Sequence, residues 1–396
     1  MMQTNFSGLL CFPAFWKRQP VRLRALFNDI YIIQGAKPQL ALMKQSSLST
    51  FFIHRTFLSN VFQLPKAAAE TYGKDKSGDG RKPHAESLIL HRNRGEFHLH
   101  SSRLRLLTGP GQASLFHRLD GNARDRLSLI GVEDDWTHLA DFLNIFKHHL
   151  TAAAVDSLAG PALMARHANF AHDLWSIDEN ILGFLLKLPR FLNLAGHRQR
   201  DRALDAVQDW HAWARDNFYP ESIDEEGNDP FWGSAFFRDR QQLFSNMDGF
   251  DSRAMASEDL AFIWSAQFNA IMSTFWITLE AFQDAELLRE VREEVRLCTQ
   301  TEADGRLRID PEALLRQPLL QAMFAENLRL HVHGFLPRYS GPQDLCIDNW
   351  TIPRDSICIS SLTSASMDPE FWGKGRGAEH AVDEFWPGRF TPSVKT

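Results

Sequence analysis

The sequence predicts a mostly α-helical protein with a small β region. Helical periodicity dominates residues 121–218 and again 257–331, with Pro189 and Pro220 as punctuation. Between Asp259 and Glu280 runs a stretch, 260–279, without one charge; at 1.5 Å per residue it makes about 30 Å of helix. From Gly334 onward the texture changes. Pro337, Gly341, Pro342, Pro353, Pro369, Gly373, Gly375, Gly377, Pro387 and Gly388 break up short apolar runs, which read as strands, turns and coil. There is no Gly-rich phosphate loop of either standard spacing, which disfavours an enzyme with its own nucleotide-binding domain.

Taken in order, residues 8–16 form an apolar patch followed by Arg18, Arg22 and Arg24. The patch is shorter than the roughly 20 residues a membrane span needs. No basic stretch precedes it, so it makes a poor signal peptide; peripheral membrane contact is the alternative. Residues 29–34 read as a strand and 37–45 as a helix, with Pro38 suited to its first turn. A polar, exposed loop is expected at 74–83 and an acidic surface loop at 220–230.

The uncharged run is either a membrane span or the central helix of a large domain. Ser265, Gln267, Asn269, Ser273, Thr274 and Thr278 inside it favour the second, since side-chain amides are costly against lipid. Ser257 is the expected N-cap, with Glu258 and Asp259 in the first turn. Gln267 and Asn269 either satisfy backbone groups or face a cavity and meet a ligand or a bound water. Asp310, Pro311 and Glu312 start a short helix, and Pro318 restarts it. Leu320, Met323, Phe324, Leu328 and Leu330 are then available for burial. Glu326 and Arg329 lie three apart on one face, alone no more than an ordinary ion pair.

The bulk numbers fit a globular chain: 396 residues, 44% hydrophobic and 23% charged. The net charge of −6 excludes the strongly basic balance of a nucleic-acid binder, so no nucleic-acid partner is expected. With 30 Phe and 11 Trp against 4 Tyr, a deep apolar core or apolar cavity is implied. Cys11, Cys298, Cys346 and Cys358 show no metal-site spacing and read as reduced structural thiols.

Late in the chain the motifs combine. Glu326 and Arg329 are followed by Ile352, Pro353, Arg354 and Asp355, then by Asp368, Pro369, Glu370, Phe371 and Trp372, then by Phe385, Trp386, Pro387, Gly388, Arg389 and Phe390. In this order they resemble the cytochrome P450 family, whose helical E-x-x-R meets an arginine from a later F-x-P-x-R-F segment. The resemblance covers roughly residues 25–392. It implies a single cytochrome P450 domain with Glu326, Arg329 and Arg389 as a structural brace behind a haem (heme) cofactor. Met367 stands where family members often carry histidine.

The same resemblance puts Ser265, Ala266, Gln267, Phe268 and Asn269 on the oxygen-side pattern of the family's central helix. Phe268 replaces the usual acid and Asn269 the usual threonine. That variant is similar to the sterol 7α-hydroxylase and prostacyclin synthase branch, and it makes Asn269, with Gln267 beside it, the catalytic candidates. Arg338 is the implied partner of one haem propionate, and Arg118 or His117 of another. The implied function is a haem-dependent monooxygenase acting on an apolar small molecule such as a sterol, terpenoid or other secondary metabolite. Electrons would come from NADPH–cytochrome P450 reductase at the cytosolic face of the endoplasmic reticulum membrane. Alternatives are an isomerase or dehydratase on the same fold, or a haem-free, truncated remnant. The family's ligand motif F-x-x-G-x-x-x-C-x-G does not follow Arg389 within this sequence, and none of its four cysteines has those surroundings. No metal ligand is therefore assigned; the axial cysteine is expected beyond Thr396, together with the last helix, and no transmembrane anchor is recognised.

Overall fold

A computed structural model describes residues 20–25, 28–45, 50–131, 137–301, 303, 305, 307–340, 344–347, 349–374 and 379–391. The apolar patch at 8–16, Arg18, Cys11, Gly341, Pro342, Gly375 and Gly377 lie outside these residues. The principal helices are α1 (Ala36–Met43), α2 (Phe51–Val61), α3 (Lys66–Lys74), α4 (Gly95–Leu107), α5 (Gly109–Ser128), α6 (Thr151–Ala159), α7 (Phe170–Glu179), α8 (Leu194–Asn217), α9 (Ala235–Ser245), α10 (Ser252–Gln283), α11 (Ala285–Leu297) and α12 (Pro318–His331). The strands are β1 (Val21–Ala25), β2 (Asn28–Ile33), β3 (Thr299–Thr301), β4 (Leu307–Ile309), β5 (Phe335–Tyr339), β6 (Leu345–Ile347), β7 (Trp350–Ile352) and β8 (Ile357–Ser361). The chain divides into two compact units: Met1–Ile53 with Ser273–Thr396, and His54–Met272.

The first unit carries the expected β region. Its four-stranded sheet has the order β1-β2-β8-β5, with β2 and β8 parallel and the other pairs antiparallel. Residues alternate along β8, so Cys358 and Ser360 turn inward. Cys358 joins Ile33, Leu42, Leu345, Ile347 and Ile352 in a small apolar core under α1. The Asp310 carboxylate caps the short helix that follows by accepting from Glu312 N and Ala313 N. Helix α12 has no cap of its own; Glu294 of α11 reaches across to accept from Leu319 N and Leu320 N, both at 2.9 Å. Its buried face is more polar than expected. Met323 and Leu330 are buried but Phe324 and Leu328 are exposed, because the helix turns Glu326, Asn327 and Arg329 inward.

The second unit is helical. Helix α6 is built of small residues and buries most of its length. It ends at Gly160 (φ 73°), where the backbone of Gly233 comes so close that a side-chain carbon on Gly233 would lie 2.1 Å from Gly160 N. Trp210, Phe237 and Phe244 are fully buried around the α8–α9 contact.

Two segments of this unit are exposed loops as expected, each tethered by one buried side chain, and one expectation, the Ser257 cap, needs correction. Residues 74–83 form a loop, but not a free one. Arg94 is buried and donates to Ser77 Oγ and to the carbonyls of Gly78, Gly80 and Arg81, so the guanidinium wraps the loop around itself. The acidic segment 220–230 is anchored at Asp229, which is buried, pairs with Arg238 at 2.6 Å and accepts from Phe231 N and Trp232 N. Ser257 does not cap α10. The helix starts earlier, where Asp251 accepts from Ala254 N at 2.8 Å; Ser257 is buried within it and donates to Arg253 O.

Candidate functional site

In the first unit the structure brings Glu326, Arg329 and Arg389 together. Glu326 and Arg329 are one turn apart on α12 and make a bidentate pair, Nε to Oε2 at 2.7 Å and Nη2 to Oε1 at 2.8 Å. Glu326 Oε1 also accepts from Arg389 Nε at 3.2 Å and Trp386 N at 3.0 Å. The outer faces of both guanidiniums are spent on backbone. Arg329 donates to the carbonyls of Ser366, Val382 and Glu384, and Arg389 to those of His380 and Ala381. One buried carboxylate thus ties α12 to segments about 60 residues further along. Trp386 helps to fix this corner by stacking on His380 at 3.8 Å and lying against Gly388, where any Cβ would strike its ring at 2.3 Å. Asp368 caps the short helix carrying Trp372, whose ring lies under Arg329.

Helix α10 is long and apolar enough to cross a membrane by length and composition. Ser265, Ala266, Asn269 and Ala270 are exposed on one side of it, whereas Gln267 is buried. Two residues along a helix are about 200° apart, so Gln267 and Asn269 face opposite sides. Gln267 does not stand beside Asn269; it packs with Trp264 and Phe268 against Thr151, Leu174 and Trp175. Its Nε2 and Oε1 have no hydrogen-bond partner, nor has Trp264 Nε1. Each such orphan costs about 1–3 kcal/mol if left unmet.

Sequence reasoning missed a buried ion network in the second unit. Arg240, fully buried, donates to Asp259 at 2.6 Å and Glu258 at 3.3 Å. Asp259 also meets His211 at 3.1 Å and Gln241 at 3.2 Å. Glu258 accepts from Tyr72 at 2.7 Å and lies 3.2 Å from His54 Nε2. Burial pushes the Glu258 carboxyl up, but His54 and Arg240 outweigh it and hold it down at about 2. Burial and the Glu258 charge drive the Tyr72 phenol well above its usual range. The signal was two adjacent acids at the head of an apolar run. A second was an arginine spaced among Phe236, Phe237 and Phe244.

With this geometry in view, the comparisons with known proteins agree. The cytochrome P450 family model matches residues 230–395, which contain α10, Glu326, Arg329 and Arg389. Cytochrome P450 monooxygenase fsoE of Humicola fuscoatra is 30% identical over 384 residues, covering 94% of this chain and 63% of its own. Cytochrome P450 monooxygenase efuG of Hormonema carpetanum is 25% identical over 382 residues, 94% of this chain and 65% of its own. The chain is therefore similar to cytochrome P450 proteins along most of its length. A solved structure, retinoic acid bound cyanobacterial CYP120A1, shares the P450 fold with a TM-score of 0.62 at 16% identity, covering 98% of this chain and 79% of that one. The chain thus spans somewhat under two thirds of the length of its first two curated P450 relatives.

The likeness to P450 proteins implies haem, and the described residues fit it in part. Arg338 on β5 is half-buried, spends Nη1 on the Pro337 carbonyl and has no acidic partner among the described residues, which leaves its fork open to a propionate. Arg118 does not fit. It donates to Gly233 O, and its recess also holds the carboxylates of Glu226 and Asp239, which would repel a propionate. His117 is taken by Glu226 at 3.6 Å. The described cysteines do not fit an axial thiolate. Cys298 and Cys358 are buried, and burial pushes the Cys358 thiol up to about 11, while Cys346 is exposed on β6.

Proposed function

We propose that the protein is a haem-dependent monooxygenase of secondary metabolism. It oxidises an apolar small molecule, such as a sterol or terpenoid, with O2 and electrons from NADPH–cytochrome P450 reductase. The observation that carries this reading is the Glu326–Arg329–Arg389 brace, in family order, in a chain whose curated relatives fsoE and efuG are monooxygenases. Arg338 is the residue that would hold a haem propionate. Haem, when bound, supplies the iron that activates oxygen. Asn269, facing outward on α10, offers an amide that donates and accepts hydrogen bonds but carries no acidic proton. Phe268 and Asn269, in place of acid and threonine, support the sterol 7α-hydroxylase and prostacyclin synthase branch.

Residence at the cytosolic face of the endoplasmic reticulum membrane is part of the proposal. It is supported by the exposed side chains of Leu186, Leu188, Phe191 and Leu192, with Lys187 and Arg190 among them, a composition suited to a lipid surface. The replacement of the acid and the threonine of that pattern by Phe268 and Asn269 also favours a second reading, an isomerase or dehydratase that needs no proton delivery.

The test is expression with haem and the reductase, feeding of sterols and terpenoids under ¹⁸O2, and mass spectrometry of the products. NADPH-dependent products carrying one ¹⁸O support the monooxygenase. Conversion without NADPH and without ¹⁸O replaces it by the second reading. Failure to incorporate haem, seen as no Soret band in the reduced carbon-monoxide difference spectrum, refutes both and leaves a haem-free scaffold.

A further inference from the structure

Gln267 is the most demanding polar group in α10. It is 3% exposed, and both heteroatoms of its amide are enclosed without a partner. Trp264, one turn earlier on the same face, has its indole N–H enclosed and unpartnered as well. Both line one recess with Thr151, Leu174, Trp175 and Phe268. Across it, Trp175 Nε1 donates to Thr151 Oγ1 at 2.9 Å, which leaves the threonine its own proton to donate. The room between these groups is about 10 Å3, enough for one water-sized centre and for nothing larger.

The walls are otherwise fixed. Trp264 is held between Phe57 (5.5 Å) and Phe62 (5.8 Å), and Phe268 packs on Trp175 at 4.7 Å. The amide of Gln267 therefore has no other side chain within the recess to turn to, apart from Thr151 and the two indoles. Buried polar groups in folded proteins are almost always hydrogen-bonded, and a small polar recess is where internal water resides.

We propose that Gln267, Trp264 and Thr151 form a binding site for one ordered water, between α10, α6 and α7. The water accepts from the Trp264 indole and from the amide of Gln267 or the hydroxyl of Thr151, and donates to Gln267 Oε1. It pins the rotation of α10 from the side opposite Ser265, Ala266 and Asn269, and so keeps those residues turned outward. The site is independent of the haem reading: it lies on the other face of the helix and requires no cofactor.

The experiment labels the protein with indole-¹⁵N tryptophan, assigns Trp264 by Trp264→Phe, and records water-selective NOE and ROE spectra. A cross-peak from the Trp264 indole to water, with the opposite NOE and ROE signs of a long-lived bound water, is the expected result. It should vanish in Gln267→Leu. The Trp175 indole signal should persist there and report an intact recess. The wild-type measurement decides even where a variant does not fold: no long-lived water at the Trp264 indole overturns the proposal. A dry recess has a second signature, a melting temperature that rises in Gln267→Leu because an orphaned amide has been removed. An unchanged or lower melting temperature is expected if water is bound.

Discussion

Replacing Arg240 with methionine should cost the protein about 4 kcal/mol. Arg240 is wholly enclosed and bridges Asp259 at 2.6 Å and Glu258 at 3.3 Å. Phe236, Phe244 and Phe262 surround its guanidinium at 4.6–5.6 Å, so a flexible apolar side chain fills the space without leaving much of a cavity. What the substitution removes is the cation that both acids share. Stripping one partner from a buried ion pair costs ~3–5 kcal/mol, against less than about 1 kcal/mol for an exposed pair. For a chain of 396 residues unfolding together, 4 kcal/mol is a fall of about 5 °C in Tm. Thermal unfolding followed by circular dichroism at pH 7 measures it. The same substitution in an Asp259→Asn background should cost less than about 2 kcal/mol, because one of the stranded charges is already gone. A fall in Tm below 1 °C, or full additivity of the two substitutions, would show that packing rather than charge pairing governs this core.

Glu258 makes the same network sensitive to acid. Its folded pKa of about 2 lies below the ordinary carboxylate value of about 4.3, so its contribution is present above that value and is lost as pH falls from about 4 toward 2. Glu258→Gln should flatten the decline of stability across that window, as read by urea unfolding at several pH values. Asp178 has the opposite sign: burial, with Glu179 beside it, lifts its pKa to about 7. Its folded form holds the proton more tightly, so stability is full below the unfolded value and declines as pH rises to 7. Asp178→Asn should therefore be more stable than the parent at pH 8 and indistinguishable from it near pH 4. In the first unit, Glu326→Ala leaves Arg329 and Arg389 buried and uncompensated and should lower stability by about 4 kcal/mol. Arg389→Ala should cost less, because the bidentate Arg329 pair survives; equal losses would contradict that hierarchy.

The sequence by itself determined those features whose physics is local or repeats along the chain. The charge-free run announced α10, Asp310 with Pro311 announced a helix start, and proline and glycine after Gly334 announced the strands and turns. Glu326 and Arg329 needed only their spacing of three to share a face, and their order relative to Arg389 carried the family resemblance. The tertiary structure alone decided which way those elements face and what lies across from them. A helix without charges has no polar stripe to orient it, so only the structure decided that Gln267 is the buried one and Asn269 the exposed one. Asp251 displaced Ser257 as the start of α10, and the two acids meant for its first turn became the anchors of Arg240, 18 and 19 residues earlier, and of Tyr72, 186 residues earlier. Glu294 caps a helix 25 residues away. Partners so far apart leave no periodic trace; they exist only because folding removes the alternative partner, water, and obliges each buried polar group to find another.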